Sequence, residues 1–217
     1  MSKYDQQFER AVFDIETAPI EDAAQFLEDV APPSNYKDQD KIAAYIAEAK
    51  LKQLEKAALD VDLCRVVAIG SIIEGCKPLV LTTEHNSEAD MLALFWDFVG
   101  MRHLVGFNCL GFDLPVLIRR AQYLGLKVPS VAIGKYRHPG VTDLQMVLSF
   151  DGAKPFRSLA FYCNRFGVDV PDTITGADIG AAVKERRWND VRGHVTADVM
   201  KAALLAEKLG HFKMVQP

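Results

Sequence analysis

Two carboxylates, Asp14 and Glu16, lie two positions apart in the apolar segment around Phe13 and Ile15. In a β-strand, alternate side chains point to the same face, so the two acids would share one face with about 7 Å of rise between their backbones. Acids beside a hydrophobic core are costly to ionise unless a cation is near. The pair therefore predicts a divalent-cation site, and the alternative is two solvated acids at the end of a strand.

Three further candidates lie later in the chain. Asp113 lies at the start of a predicted helix, at a chain end of the kind that meets a cleft. His194 and Asp198 are four residues apart in the last predicted helix and therefore share a face. Asp198 is surrounded by Val and Ala, where a carboxylate needs a partner. We expect four acids to form one site, with His194 beside them: Asp14, Glu16, Asp113 and Asp198.

Basic and aromatic residues occur together at two places in the second half of the chain. Arg157 follows Phe156, and Trp188 follows Arg186 and Arg187. Such pairs suit the phosphates and bases of a nucleic acid single strand. The alternative is that they are ordinary surface charges, with Trp188 as a packing residue. Nothing in these residues predicts the readout of a base sequence.

Hydrophobic patterning predicts strands first and helices later. The three strands that come first form an antiparallel meander with a hairpin turn at residues 74–77. A strand-helix pair follows, and the remainder is helical except for residues 143–150, which could be a strand or a helix. The predicted strands are 10–17, 64–73, 78–83 and 103–107, and the predicted helices are 37–58, 87–100, 112–124, 158–166, 176–187 and 190–209.

Residues 20–62 form a helical insertion between the first two strands. Apolar residues recur at helical spacing within it, which predicts an amphipathic helix. This helix could cover an edge of the sheet with a solvated outer face, or it could contact a substrate or partner. Both interpretations stay open at this point.

The composition is that of an ordinary globular chain. With 217 residues, 49% hydrophobic and 25% charged, the chain predicts one domain, and no apolar run is long enough to cross a membrane. The first residues lack the apolar core of a signal peptide. The four cysteines stand singly, which argues against a zinc knuckle and favours buried free thiols. We therefore expect a cytoplasmic protein with no membrane partner.

The charge is unevenly distributed along the chain. The formal net charge is −4, but residues 21–62 hold 10 acidic and 5 basic residues, whereas residues 101–217 hold 16 basic and 10 acidic ones. The second half is therefore basic and could present a positive face to a polyanion.

Three short motifs resemble those of the DEDD family of 3′-5′ exonucleases, most closely the proofreading exonuclease domains of family B DNA polymerases and their stand-alone relatives. They occur in the family's order and extend over nearly the whole chain. The segments Thr142-Asp143-Leu144 and Phe156-Arg157-Ser158-Leu159 also resemble the family's pattern. The three motifs are Phe13-Asp14-Ile15-Glu16-Thr17, Asn108-x-x-x-Phe112-Asp113 and His194-x-x-x-Asp198.

The resemblance implies an α/β fold of the ribonuclease H-like kind, with a mixed five-stranded sheet whose first three strands are antiparallel. It also implies two divalent cations, Mg²⁺ or Mn²⁺, which hard oxygen ligands favour. Asp14 would bridge both ions, Glu16 and Asp198 would complete the ion on the nucleophile side, and Asp113 would hold the other. The implied substrate-binding residues are Thr17, Asn108, Phe112, Arg157 and Trp188, although Asn108 could be a plain turn residue and Phe112 a core aromatic.

One feature departs from the family's branches. The polymerase-like branch has Tyr four residues before the last Asp, and the branch named for histidine has His five residues before it. Here His194 combines histidine chemistry with the tyrosine spacing, and Gly193 is five residues before Asp198. We expect His194 to orient or deprotonate the attacking water, and the alternative is a plain surface histidine.

The resemblance implies removal of nucleoside 5′-monophosphates from the 3′ ends of single-stranded DNA. One alternative is a 3′-5′ exoribonuclease, because the same acids serve RNA hydrolysis. Another is a non-catalytic module for nucleic acid or protein interaction that keeps the fold alone. The chain holds no polymerase motif, so a role in replication or repair would need a partner that the sequence does not identify.

Overall fold

One five-stranded sheet lies at the centre of the computed structural model, which describes residues 9–129, 131, 134 and 138–214. The strand order is β3-β2-β1-β4-β5. β2 pairs antiparallel with β1 and with β3, whereas β4 and β5 run parallel to β1. The strands are β1 (Arg10–Pro19), β2 (Cys64–Ile73), β3 (Leu79–Thr82), β4 (His103–Gly106) and β5 (Val141–Asp143).

Helices flank this sheet on both faces. Short 3₁₀ turns at Ala23–Gln25 and Gly176–Asp178 accompany them. The helices are α1 (Gln39–Ala57), α2 (Glu88–Val99), α3 (Asp113–Tyr123), α4 (Leu144–Leu148), α5 (Leu159–Phe166), α6 (Ile179–Lys184) and α7 (Trp188–Lys208). The predicted mixed sheet with an antiparallel first half and a helical insertion after the first strand is confirmed.

Several element ends differ from the sequence prediction. β1 continues to Pro19 because its last residue still pairs with Cys64 of β2. Of residues 143–150, which could be a strand or a helix, Asp143 is the last residue of β5 and Leu144–Leu148 form helix α4. The Asp143 side chain caps the start of α4. The predicted helix 176–187 is a 3₁₀ turn followed by α6, which ends at Lys184.

The alternation of side chains along β1 separates two hydrophobic cores. Ala11, Phe13 and Ile15 face one core with α2 and α3, and Val12 faces the other core with α7. Because strand side chains alternate, Asp14 and Glu16 lie on the α7 side. The same pattern that builds the core thus assigns the acids to the face covered by the last helix.

Gly70 of β2 allows α7 to lie directly on the sheet at this point. It is paired with Asp14 in the β1–β2 register. A Cβ atom at Gly70 would come within 3.0 Å of the Val195 carbonyl oxygen and 3.2 Å of the Val199 side chain. Any larger residue would push α7 outward, so this glycine sets the distance between the acids of β1 and those of α7.

The insertion helix α1 is mostly solvent-exposed, with Ala57 its buried residue. Its C-terminal end is attached to the sheet where the Thr17 hydroxyl donates a 2.6 Å hydrogen bond to the Ala58 carbonyl oxygen. This contact is with β1, the central strand of the sheet. The interpretation that α1 covers an edge of the sheet is therefore not supported by it. No helix within the described part of the chain has the length and apolarity needed to span a membrane.

The cysteines are unpaired, as expected, but not uniformly buried. Cys64, Cys109 and Cys163 are buried, whereas Cys76 is exposed in the turn after β2. Burial raises the pKa of the Cys64 thiol to about 12 and that of Cys109 well above its usual value. These thiols stay protonated and act as small apolar side chains.

A buried ion pair connects α2, α3 and β2. Arg120 donates two hydrogen bonds to the Glu88 carboxylate, at 2.8 and 2.7 Å, and Glu88 also accepts the Val66 backbone N–H at 2.8 Å. The two side chains are 11% and 12% exposed. The bidentate geometry compensates the cost of removing both charges from water.

Replacing Glu88 by glutamine is expected to destabilise the protein by about 3–5 kcal/mol, because it leaves the Arg120 charge buried without its partner. Urea unfolding measures the loss. The exposed Glu55→Gln on α1 is the control and should change stability by less than about 0.5 kcal/mol. Equal stabilities of the two variants would show that the ion pair contributes nothing.

Candidate active site

A cleft opens beside β1 at the point where its neighbour β4 ends. β4 pairs with Arg10 to Val12 only, so the following part of that edge of β1 has no strand partner. Asp113, the first residue of α3, fills part of the gap, and its carboxylate accepts the Ile15 backbone N–H at 3.3 Å. The early end of β4 thus brings the acid of α3 to the strand that bears Asp14 and Glu16.

The last helix brings its two polar side chains to the same place. His194 Nε2 lies 3.4 Å from a Glu16 carboxylate oxygen and 3.8 Å from an Asp198 oxygen. One ligand atom from each of Glu16, His194 and Asp198 lies within 4.8 Å of the others. Residues nearly 180 positions apart in the chain therefore meet at one point.

Two further side chains complete a network behind the histidine. The Asp172 oxygens lie 3.0 and 2.9 Å from His194 Nδ1. Lys201 Nζ donates 2.7 Å hydrogen bonds to Asp172 and to Asp198. Because His194, Asp198 and Lys201 recur at helical spacing, α7 presents all three on one face.

Burial and the charges of neighbouring acids make Asp14, Glu16 and Asp113 difficult to ionise without a cation. Burial first, then the charges of Asp113, Glu16 and Asp198, raises the pKa of Asp14 well above its ordinary value. Burial, followed by Asp198, Asp113 and Asp172, does the same to the pKa of Glu16. For Asp113, burial raises the pKa to about 7, although backbone N–H donors oppose the shift. Like charges in a low-dielectric cleft produce this behaviour.

The donor set fits divalent cations that prefer oxygen. Carboxylates from Asp14, Glu16, Asp113 and Asp198 would supply hard ligands, as Mg²⁺ and Mn²⁺ require. A bound cation would remove the repulsion that raises the carboxyl pKa values. Among the described residues, one group of three His, Cys, Asp or Glu side chains lies close enough to share an ion, and it consists of Glu16, His194 and Asp198 without Asp14 or Asp113.

The raised pKa values predict how the metal-free protein responds to pH. The folded state holds the Asp113 proton more tightly than the unfolded chain does, so this preference stabilises the fold at low pH and is lost as pH rises from 3.8 to about 7. A displacement of about three pKa units corresponds to about 4 kcal/mol. We expect Asp113→Asn to be more stable than the wild type by an amount that grows over this range, reaching on the order of 10 °C in Tm.

Thermal unfolding in EDTA between pH 4 and 8 measures this difference. At the upper end of this pH range, Mn²⁺ in place of EDTA should raise the wild-type Tm and have less effect on that of Asp113→Asn. A ligand that binds only the folded state stabilises it. Asp97→Asn, on the exposed face of α2, is the control. A difference between wild type and Asp113→Asn that is constant with pH would contradict the prediction.

Two of the predicted substrate-binding residues flank the cleft. Asn108 is exposed at the end of β4 with a positive φ of 58°, and its backbone N–H donates to Asp143 at 2.9 Å. Asp143 also accepts the Leu110 N–H at 3.0 Å and so holds the whole turn. Phe112, at the start of α3, is half-buried against the core. Their roles in substrate binding stay predictions.

The other three predicted substrate-binding residues are placed differently. The Thr17 hydroxyl is engaged by Ala58 and is thus occupied within the fold. Trp188 begins α7 and packs against a hydrophobic cluster. Arg157 is exposed, and its guanidinium lies 5.4 Å from the centre of the Phe161 ring, within cation-π distance. Of these three, Arg157 has the free polar surface that a strand could contact.

The sequence prediction missed Asp172, Lys201 and the anchoring role of Asp143. Lys201 could have been found, because it follows His194 and Asp198 at helical spacing. Asp172 could not, because it lies in an irregular segment 22 residues from the histidine that it contacts. Asp143 belongs to the segment Thr142-Asp143-Leu144, which resembles the family's pattern. Only the structure shows that its carboxylate accepts hydrogen bonds from the turn at Asn108.

A sheet of this order, with carboxylates gathered where β4 leaves β1, defines a ribonuclease H-like α/β protein with an acidic cleft. The chain belongs to the family of predicted 3′-5′ exonucleases related to the exonuclease domain of PolB, whose model matches residues 57–214. The match includes Asp113, His194 and Asp198, whereas Asp14 and Glu16 lie before it. No curated protein matches the chain.

The fold is similar to that of a much longer protein, the family B DNA polymerase from the hyperthermophilic archaeon Pyrobaculum calidifontis. The TM-score is 0.63 with 21% sequence identity, over 93% of this chain and 24% of that chain. The chain thus spans about a quarter of the polymerase's length. The expected ribonuclease H-like fold and the relationship to the exonuclease domains of family B polymerases are confirmed.

Proposed function

We propose that the protein is a metal-dependent 3′-5′ exonuclease that releases nucleoside 5′-monophosphates from the 3′ ends of single-stranded DNA. One observation carries this proposal: His194 Nε2 lies 3.4 Å from Glu16 of β1 and 3.8 Å from Asp198 of α7, and Asp113 of α3 accepts a hydrogen bond from the same strand β1. Family membership supports the same reaction and direction.

Asp14, Glu16, Asp113 and Asp198 would hold two Mg²⁺ or Mn²⁺ ions. Divalent cations, when bound, supply positive charge at the scissile phosphate and make a water molecule more acidic. Glu16 and Asp198 lie on the histidine side of the cleft, and Asp113 lies on the β4 side. This division fits separate positions for the attacking and leaving oxygens.

His194 would accept the proton of the attacking water at Nε2. The ring is 5% exposed, and its position on α7 aims this nitrogen at Glu16 and Asp198. A neutral imidazole nitrogen without hydrogen is an acceptor at ordinary pH, so histidine can perform a task that tyrosine performs in related exonucleases of the polymerase-like branch.

The strand that leads to the cleft would pass the turn at Asn108 and Phe112 and continue toward Arg157 and Phe161. Gln145 at the start of α4 donates a 3.4 Å hydrogen bond to the Arg157 carbonyl oxygen, and its backbone N–H donates to Asp143, which also accepts the Asn108 N–H. Phe161 is 44% exposed, so its ring and the neighbouring guanidinium could stack on a base and approach a phosphate. Thr17 and Trp188 are less suited to contact the strand through their side chains.

A digestion time course tests the proposed reaction. A 5′-labelled single strand with Mg²⁺ or Mn²⁺ should give a ladder that shortens one nucleotide at a time, and the released product should co-migrate with a nucleoside 5′-monophosphate. A 3′-labelled strand should lose its label in the first step. Internal fragments, or shortening from the 5′ end, would contradict the proposal.

A matched RNA strand in the same assay tests the choice of nucleic acid. The proposal predicts faster digestion of DNA than of RNA. Faster digestion of RNA would replace the proposal by the exoribonuclease alternative, and digestion of neither, together with no Mn²⁺ binding by calorimetry, would leave the non-catalytic module.

A further inference from the structure

Asp172 contacts the side of the histidine ring that faces away from the acidic cleft. Both of its oxygens lie within 3.0 Å of His194 Nδ1, and its side chain is 15% exposed. An ionised carboxylate accepts hydrogen bonds and cannot donate them. The hydrogen of a neutral His194 ring is therefore held at Nδ1, and Nε2 keeps its lone pair.

Lys201 fixes this carboxylate in turn. Its ammonium group lies 2.7 Å from Asp172 Oδ2 and 2.7 Å from Asp198 Oδ1. An ammonium group only donates, so it requires an oxygen on Asp172. Asp172 thus has two fixed partners, one on each side, although it lies outside any helix or strand.

We propose that Asp172 is a positioning residue that sets the tautomer and orientation of His194, and that Lys201 holds Asp172 in place for this task. This inference rests on the proposed function. Asp172 contacts the imidazole ring at Nδ1, and through Lys201 it is also linked to Asp198. Carboxylates that fix a histidine tautomer from behind are a general device of metal and acid-base sites.

The isosteric variant Asp172→Asn should weaken the preference for the Nδ1–H tautomer. Lys201 can donate only to the amide oxygen, so this oxygen would lie where Asp172 Oδ2 is now, 2.9 Å from Nδ1, and the amide NH₂ group would lie where Oδ1 is now, 3.0 Å from Nδ1. The NH₂ group would donate to Nδ1 in competition with the oxygen and so shift the ring hydrogen toward Nε2, the atom that must accept a proton. We expect kcat to fall about 10–100-fold with little change in KM.

Two-dimensional ¹H–¹⁵N correlation spectra of histidine rings read the tautomer without any assay of activity. The spectra are taken at a pH of about 8.5, about two units above the reference pKa of imidazole. His194→Ala identifies the His194 signals. Wild-type protein should show the Nδ1–H form, and both Asp172→Asn and Asp172→Ala should show a larger share of the Nε2–H form. An unchanged tautomer in both variants would overturn the proposal.

A double-mutant comparison separates positioning from a structural role. Once His194→Ala has removed the ring, Asp172→Asn should cause no further loss of kcat, because residues that act as a unit are not additive. Asp169→Asn, an exposed acid in the same segment, is the control and should retain wild-type kcat. Full additivity of the two losses would overturn the proposal, whereas an inactive wild type with the Nδ1–H tautomer would refute the proposed function and leave the positioning geometry intact.

Discussion

Replacing Asp14 by asparagine is expected to reduce exonuclease turnover about 10³-fold or more. Asp14 is buried near the other acids, since burial and the charges of Asp113, Glu16 and Asp198 raise the pKa of its carboxyl group. A bound metal ion contributes several kcal/mol of charge stabilisation in a transition state, and each 1.36 kcal/mol is about a tenfold change in rate. Loss of the shared ligand should remove most of this contribution.

The structural cost of the same change is expected to be small or favourable. The asparagine keeps the volume of the side chain between β1 and α7 and removes a carboxyl group whose pKa is raised by burial. Steady-state digestion of a labelled strand measures kcat, and thermal unfolding confirms that the variant is folded. Asp97→Asn is the matched control and should retain wild-type turnover. A folded Asp14→Asn protein with wild-type turnover would remove Asp14 from the mechanism.

Replacing His194 by alanine is expected to reduce turnover about 10²–10⁴-fold, the usual range for the loss of a general base. The ring lies between the acids of the cleft and the carboxylate of Asp172, so its loss removes the one imidazole that faces Glu16 and Asp198 among the described residues. Binding of the strand should change little, because the ring is buried and the strand would lie on the open side of the cleft.

Rates under single-turnover conditions show whether the chemical step is the one affected. His85→Ala is the control, since that histidine is an exposed side chain beside Glu84. Calorimetry should show that the His194→Ala variant still binds Mn²⁺, because carboxylates supply the ligands. A chemical step as fast as that of the wild type would leave His194 without a catalytic role.

The sequence predicted the sheet well because the apolar pattern of the strands is strong. Along β1 the apolar Phe13 and Ile15 alternate with Asp14 and Glu16, and this alternation already assigns the acids to one face. The antiparallel meander followed from short spacing and a tight turn before β3. The ends of elements were less predictable, because Pro19 and Trp188 are included through pairing and packing with distant residues.

Part of the site could be predicted for a similar reason. His194 and Asp198 lie in one helix, where spacing defines a common face. The approach of α7 to β1 depends instead on a glycine in β2, Gly70, whose importance is visible only when the two elements are packed together.

The contacts behind the histidine could not be predicted from local pattern. Asp172 lies in a segment without periodicity, and its partners come from α7. Thr17 is the opposite case. It was predicted to contact the substrate, but its hydroxyl donates a hydrogen bond to the helical insertion instead. Tertiary contacts decide which polar groups remain free for a ligand.

Anomalous diffraction from crystals soaked with Mn²⁺ and a nucleoside 5′-monophosphate tests most directly whether the four acids form a two-metal site. The account predicts two anomalous peaks about 3.5–4 Å apart, both coordinated by Asp14, one shared with Glu16 and Asp198 and the other with Asp113. The absence of an anomalous peak between β1 and α7 at saturating Mn²⁺ would contradict the account.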